Sequence, residues 1–418
     1  MIAKCSTTQK LDFLRDRQIL MLLFRYTLSK EMHMRQTRQV IILCTILIFA
    51  FSNAFAIENH KYSTRPITNK GEKWRIGYLE GGPYSNYPTN LRALVEALSE
   101  MRWIDEADLP PQTSEDDTSQ LWAWICEKTK SKYIQFVSDA YWSSNWENEL
   151  RFKNKQAVIH RLNTQKDIDL MLAMGTKAGQ DLANNEHSVP VIVMSSSNPI
   201  GSKIIKSAQD SGFDHVNARV DPTRYERQIR IFHDIIGFEK LGIVYETHTV
   251  DGRTYAAVSD VEKVAKERGF EVVSCHAPFS NISKEKAEQA VIKCHNELAP
   301  KVDAFYITVH RGVALSKMPE LLAPFFKHKI STFSQRGSRE VQYGALLSIA
   351  RAGFKFIAGF HAETIAKIFN GAKPRDLEQV FEDPPRIAIN LKTAEKIGYT
   401  PPVDILGAAD EIYDKIEK

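Results

Sequence analysis

From Trp74 onward the chain repeats one unit: a short apolar run, a polar or glycine-containing turn, then an amphipathic stretch. Arg75–Leu79 is the first predicted strand, and Gly81-Gly82-Pro83 stops it. Thr89–Met101 follows as a helix, with Leu91, Leu94, Val95 and Leu98 on one face. Tyr133–Val137, Asp169–Ala173 and Val189–Met194 are further predicted strands, the last two leading into helices from Lys177 and about Gly201. The second half does the same. Leu241–Tyr245, Phe270–Ser274, Asp303–Thr308 and Lys329–Phe333 read as strands, and Tyr255–Glu267 (ended by Gly269) and Lys284–Leu298 as helices. Apolar runs this short, alternating with helices, belong to parallel sheets covered on both faces. The right-handed crossover rule then gives an α/β chain of two doubly wound, parallel-sheet lobes. Their join is expected near Val216–Pro222, where Asp221 as cap and Pro222 in the first turn open a helix through Tyr225, Ile229, Phe232 and Ile236 that Gly237 ends.

A length of 418 residues suits two such lobes, and 43% apolar with 25% charged residues is ordinary globular composition. The net charge of +4 is unevenly placed. Residues 1–56 hold eight Lys or Arg against three acids, so residues 57–418 sum to about −1. Nothing general therefore argues for nucleic-acid binding by the body. The front end instead has the three parts of a secretory signal, in order: Met34-Arg35-Gln36-Thr37-Arg38, the apolar run Val40–Phe51, and Ala54-Phe55-Ala56. Residues 34–56 are read as a cleaved signal peptide and residues 1–33 as an upstream extension or a mis-assigned start, with translation beginning at Met34 or Met32. The alternatives are a long n-region and an uncleaved anchor. Cleavage would leave the protein in the periplasm, with residues 57–220 as the first lobe and 221–335 as the second. Cys126, Cys275 and Cys294 would remain, and an oxidising compartment permits a bridge, Cys275–Cys294 being the candidate pair.

Ligands of open parallel sheets bind beyond the carboxyl ends of the strands. That rule selects Gly81, Gly82, Tyr84, Asp139, Thr176 and Ser195, Ser196, Ser197 and Asn198 from the first lobe. From the second it selects Tyr245, Glu246, Thr308, His310 and Gln335. The Gly175-Thr176 and Ser195–Ser197 turns each precede a predicted helix, whose free N–H groups suit a carboxylate; the alternative is that their hydroxyls only cap those helices. Glu246 and Asp139 are candidates to pair with an ammonium, and Tyr84, Tyr141, Trp142 and Tyr245 to pack on an apolar body or beneath a cation. Trp146 is a further cleft candidate, whereas Trp122 and Trp124 read as core or lobe surface. Together these residues describe a small amino-acid-like ligand. Catalytic patterns are missing: Ser195–Ser197 lack the G-x-S-x-G elbow, and neither G-x-G-x-x-G nor a phosphate-binding P-loop occurs. No enzyme activity, cofactor or metal is expected.

Several blocks resemble the substrate-binding proteins of ABC importers, the group with tryptophan/tyrosine-type binding proteins and a type I periplasmic-binding fold. They are DIDLMLAMGTKAGQDLA, VPVIVMSSSNPIGSKIIKSA, FEKLGIVYE, VDAFYITVHRGV and the terminal RIAINLKTAEKIGYTPPVDILGAADEI. The resemblance runs from about Asp169 to the end, is looser over 75–103 and poor over 104–165. It implies that Gly175-Thr176 and Ser195–Asn198 hold the ligand from one lobe, and Tyr245-Glu246 and Thr308–His310 from the other. It also implies a monomer that delivers its ligand to a membrane permease driven by a cytoplasmic ATPase. The chain departs from the family at Glu246, in place of an Asn, and at Val309-His310-Arg311, in place of an acid-and-amide pair. The fold implies a return toward the first lobe from about Phe333–Gly344, within a segment 336–383, and a last crossing near Pro384-Pro385 into a final strand and helices over 384–418. The rival reading is a sensing module of the same fold that signals to a separate membrane receptor.

Overall fold

In the computed structural model, residues 62–112, 114, 116–350, 354–382 and 386–417 are described. The predicted extension 1–33, the signal 34–56 and the crossing at Pro384-Pro385 lie outside the described residues. The first lobe runs β1 (Trp74–Glu80), α1 (Asn86–Glu100), α2 (Ser119–Lys128), β2 (Ile134–Ser143), α3 (Asn148–Thr164), β3 (Leu170–Met174), α4 (Gly175–Leu182), β4 (Val191–Met194) and β5 (Val216–Ala218). Its strands form one parallel sheet in the order β2-β1-β3-β4-β5. Alternation along these strands explains why both faces are covered. Ile76, Tyr78, Leu170, Leu172, Met174 and Ile192 point to one side, where the Leu91, Leu94, Val95 and Leu98 face of α1 packs. Leu79, Met171, Ala173, Val191 and Val193 point to the other, toward Val158 and Leu162 of α3 and Ala178 and Leu182 of α4. Trp122 is buried within the first of these cores and Trp124 packs at its edge.

The second lobe runs α5 (Arg224–Ile236), β6 (Lys240–Tyr245), α6 (Val250–Tyr255), α7 (Val258–Arg268), β7 (Glu271–His276), α8 (Lys284–Leu298), β8 (Ala304–Ile307), α9 (Met318–His328), β9 (Ser331–Ser334), α10 (Ser338–Gln342) and β10 (Leu347–Ala350). After these come α11 (Lys355–Phe369), β11 (Arg386–Asn390), α12 (Leu391–Ile397), α13 (Val403–Ala408) and β12 (Ala409–Tyr413). The second sheet has the order β12-β11-β10-β9-β8-β6-β7, so β6 to β10 repeat the winding of the first. β11 pairs antiparallel to β10, while its partner β12 runs parallel to it.

Several predicted details shift. The helix expected from Gly201 is a set of turns, because Asn198 Oδ1 accepts the Gly201 N–H at 2.8 Å and Ile204 N–H closes on Pro199 O. The helix over Tyr255–Glu267 is broken at Ala256-Ala257, where Ala257 has φ 52°. α5 starts at Arg224, and Asp221 binds Arg227 at 2.8 Å instead of capping it; Gly237 does end it, in the left-handed conformation. The chain does not leave the second lobe at Phe333–Gly344. α10 and β10 stay there, and the next element to sit on the first lobe is α11, whose Ala358, Ala362, Ile365 and Phe369 join the α1 core. Among the described residues the last element is the strand β12 rather than a helix.

The crossings are coupled. Val220 N–H donates to Gln379 O at 2.7 Å and Phe381 N–H to Val220 O at 3.0 Å, which lays the chain leaving the first lobe beside the chain that later returns. Cys275 on β7 and Cys294 on α8 are bridged, their Cα atoms 5.6 Å apart across 19 residues of sequence. Cys126 is a half-buried free thiol that burial pushes up to about 12, which leaves it unreactive. Buried histidines are a second feature of the cores. His295 lies between Phe305 and Phe325 (centroids 4.6 and 5.0 Å away) with Nδ1 2.9 Å from Leu321 O, and burial pushes it down to about 4. His187 is pushed down to about 4 by burial and by His215, whose ring is 4.6 Å away.

Two predictions follow from this interior. Replacing both bridged cysteines by Ala lowers stability by about 3 kcal/mol, the loop-closure value for a bridge of this span, read from denaturant unfolding without reductant. The histidines set the acid response. Their pKa values in the folded chain lie below the unfolded value of about 6.5, so the unfolded chain binds more protons between pH 6.5 and 4 and stability falls as pH falls. Burial raises Asp260 to about 6, which offsets part of this. The urea midpoint should drop steadily from pH 6.5 to 4.5, and less so in His295→Gln; a flat profile would contradict it.

Candidate functional site

Both sheets turn their carboxyl edges toward a cleft between the lobes. At its centre is a pocket bounded by Tyr84, Tyr87, Trp146, Thr176, Ser195 and Ser197 of the first lobe. The second lobe closes it with Tyr255, Phe279, Val309, His310 and Arg311. Five aromatic rings therefore enclose a space whose polar groups come from the ends of β3, β4 and β8.

Two glycines make the first-lobe wall possible. Gly175 has φ +85°, and a Cβ there would fall 1.8 Å from the Tyr87 hydroxyl, so only glycine lets α4 start beneath that ring. A Cβ on Gly82 would meet the Trp146 backbone N at 2.6 Å. With that room, Trp146 donates its backbone N–H to Gly81 O and its indole N–H to Pro83 O, each at 2.9 Å, which fixes the ring over the cavity. Thr176 makes no helix-capping bond; its hydroxyl lies 3.2 Å from that of Ser196. Ser195 holds a left-handed φ of 58°, which turns the Ser195–Ser197 segment toward the cleft. Asn198 points away from the cavity, into the Gly201 turn.

His310 contributes shape rather than charge. Its Nδ1 accepts the Gly312 N–H at 2.9 Å, which leaves the proton on Nε2, 3.1 Å from Ala277 O. Burial pushes it down to about 4, so the neutral ring braces Phe279, edge-to-face at 5.0 Å. Arg311 differs. It is half-buried, its Nη1 donates to Ile282 O at 2.7 Å, and its guanidinium reaches across the cleft to the Trp146 ring, 6.0 Å away. Among the described residues no carboxylate pairs with it. The neighbouring cations at the cleft mouth are paired, Lys284 with Asp116 at 2.9 Å and Arg336 with Glu340 at 3.0 Å.

Other predicted residues do not line this cavity. Asp139 is exposed and bound to Arg161 at 3.0 Å, and the same Arg161 lies over Trp142. Tyr141 stacks on Tyr78 and bonds Thr118 at 3.0 Å inside the first lobe. Tyr245 is core, with Arg253 over its ring. Glu246 is saturated: it accepts from Phe279 N–H, Ser280 N–H, the Ser280 hydroxyl and the Thr249 hydroxyl at 2.7 to 3.2 Å. Burial alone would raise its pKa, but these donors hold it below its usual range. Thr308 donates to Val244 O, and Gln335 joins Val309 N–H at 2.6 Å to Tyr255 O at 2.8 Å. Glu246 and Gln335 thus stand behind the wall, holding Phe279, Val309 and Tyr255 in place. Tyr87, Tyr255 and Phe279 were not singled out in the sequence, because each sits in a helical or loop stretch where an aromatic residue reads as packing.

The lobes touch on both sides of the cavity. Asp251 of the second lobe pairs with Lys177 and accepts from Gln180 at 3.1 Å; Asn148 donates to Asn281 at 2.7 Å; Arg336 donates to Ser85; and Tyr225 donates to Ser197 O at 3.2 Å. The cleft is therefore closed. Among the described residues no group of three or more His, Cys, Asp or Glu is placed to hold a metal ion.

Comparison with known proteins agrees with this architecture. A Tyrosine-binding protein of Clostridioides difficile (strain R20291) is 22% identical over 284 residues, 65% of this chain and 76% of that protein. An ABC domain from Streptococcus pneumonia, solved in complex with L-Trp, superposes with a TM-score of 0.62 at 19% identity, covering 82% of this chain and all of that one. The ligand-free, open structure of a substrate binding protein with adhesive properties from Clostridium difficile gives 0.56 at 17% identity, again over 82% of this chain and 100% of its own. These likenesses show the fold, two parallel-sheet lobes of the type I periplasmic-binding kind. The model of one family, ABC transporter substrate binding protein, matches residues 142–413, from the end of β2 through β12 and so across both lobes, and the chain belongs to that family.

Proposed function

We propose that the protein is the extracytoplasmic, periplasmic solute-binding component of an ABC importer and that it captures a small carboxylate with an aromatic body, of amino-acid size. One observation carries this reading: five rings from both lobes enclose a cavity into which a half-buried arginine, Arg311, points without an acid of its own. An apolar guest part gains by displacing water from the rings, and a carboxylate gains a charge-assisted bond in a partly dry space. The hydroxyls of Thr176, Ser195 and Ser197 supply further bonds. An amine on the guest would rely on hydroxyl or carbonyl acceptors, since Asp139 and Glu246 are engaged elsewhere. The similar proteins named for tyrosine and solved with L-Trp make aromatic amino acids the first probes. Closure presents a joined surface to a membrane permease with its cytoplasmic ATPase, and the guest leaves chemically unchanged.

Titration calorimetry with L-tryptophan, L-tyrosine, L-phenylalanine, hydrocinnamate and indoleacetate tests this. At least one should bind at micromolar Kd, and Arg311→Ala should weaken it by about 1.5–3 kcal/mol, a factor of roughly ten to a hundred. Absence of heat from all five would overturn the reading. Asp251→Asn removes the acceptor that Lys177 and Gln180 share across the lobes. The closed form should lose about 1 kcal/mol, so affinity weakens about fivefold while the order of preference among ligands stays the same.

A further inference from the structure

On the hinge side of the Ser195–Ser197 turn the cleft continues into a second, small chamber that shares Tyr84, Ser195, Ser197 and Val309 with the aromatic cavity. Its own walls include Asn86, Asn90, Arg219, Arg224, Tyr225 and His361. His361, on α11, is 1% exposed, and neither of its ring nitrogens has a hydrogen-bond partner. Burial pushes it down to about 3, so the ring is neutral, with one N–H and one lone pair both unmet. A buried polar group left this way is costly, and folded proteins rarely keep one without a use for it.

The charged side chains that line the chamber have one sign. Arg224 is half-buried, stands over the Tyr225 ring at 5.1 Å and forms no ion pair among the described residues. It is also the first residue of the thirteen-residue helix α5, whose free N–H groups add to the positive field. Arg219 is held by Phe381 O at 3.0 Å and by Asp221 at 3.8 Å, a fixed cation against the same chamber. No Asp or Glu is among the described residues lining either chamber.

We infer that this hinge-side chamber is a second anion subsite, in which Arg224 and the N–H of His361 receive an acidic group at the far end of the guest, so that the preferred guest is an aromatic diacid rather than a monocarboxylate. The inference rests on the reading of the aromatic cavity as the ligand site. Its geometry is coupled to closure, because Arg224 and Tyr225 come from the second lobe, His361 and the serines from the first, and Tyr225 already bonds Ser197 O.

The test is calorimetry with hydrocinnamate against two diacids of different reach, phenylsuccinate and para-carboxyhydrocinnamate. One diacid should bind about tenfold tighter than hydrocinnamate, the gain of one charge-assisted contact. Arg224→Gln, at a half-buried position, and His361→Leu, close in volume, should each erase that advantage and leave hydrocinnamate within about twofold. Three results would overturn the subsite: diacids no tighter than hydrocinnamate, a diacid preference untouched by both variants, or a diacid-bound crystal structure with only ordered water on His361. Silence from every aromatic carboxylate would instead remove the aromatic-cavity reading, and this one with it.

Discussion

Everything polar in this molecule is arranged around the dryness of its two sheets. β1, β3 and β4 are buried along nearly their whole length, and β6, β8 and β9 likewise, because helices cover both faces. Backbone and side-chain polarity can then reach a ligand only where strands end. The carboxyl edge is the favoured end, since there the next helix begins and offers unpaired N–H groups. Two sheets wound in the same order and joined by paired crossings set two such edges face to face. The cavity between them is therefore a consequence of sheet burial and not an independent invention of the loops.

Closing that space requires charges, and the chain separates their duties. Acids serve the frame. Glu80, buried at the end of β1, accepts from Tyr78 at 2.8 Å and from Thr118 at 2.5 Å, and burial raises its pKa despite those donors. It anchors the segment that brings Asp116 to Lys284. Glu246 orders the loop that carries Phe279, and Asp251 ties the lobes through Lys177. Cations at the cavity are treated differently: Arg311 and Arg224 stay without ion-pair partners among the described residues. A half-buried guanidinium without a carboxylate gives up solvation for little return, and a guest anion is the natural compensation.

His310 and His361 show the same separation in uncharged form. Both are buried and neutral, but His310 engages both nitrogens, one with Gly312 of its own loop and one with Ala277 after β7, and so becomes a wall, while His361 engages neither. Their chemical type is identical and their roles diverge only through neighbours.

The chain's own pattern determined the alternation of strand and helix and the two lobes, because burial on both faces needs short apolar runs and that need is local. It also offered Gly82, Tyr84, Thr176, the three serines and His310 as candidates, which the strand-end rule selects without knowing the partner lobe. What only the tertiary structure decided is which of these face one another. Tyr245 and Tyr141 end strands as legibly as Tyr84 does, yet their rings turn into the cores. Asp139 and Glu246 are acids in the right places by position and are consumed by Arg161 and by the Phe279–Ser280 backbone. Tyr87, Tyr255, Phe279 and His361 entered the cleft walls from helices and loops, where periodicity only says apolar or buried. A pattern along the chain records whether a side chain is covered, and the choice between core and cleft depends on what the other lobe brings opposite to it, which is a long-range contact with no local trace.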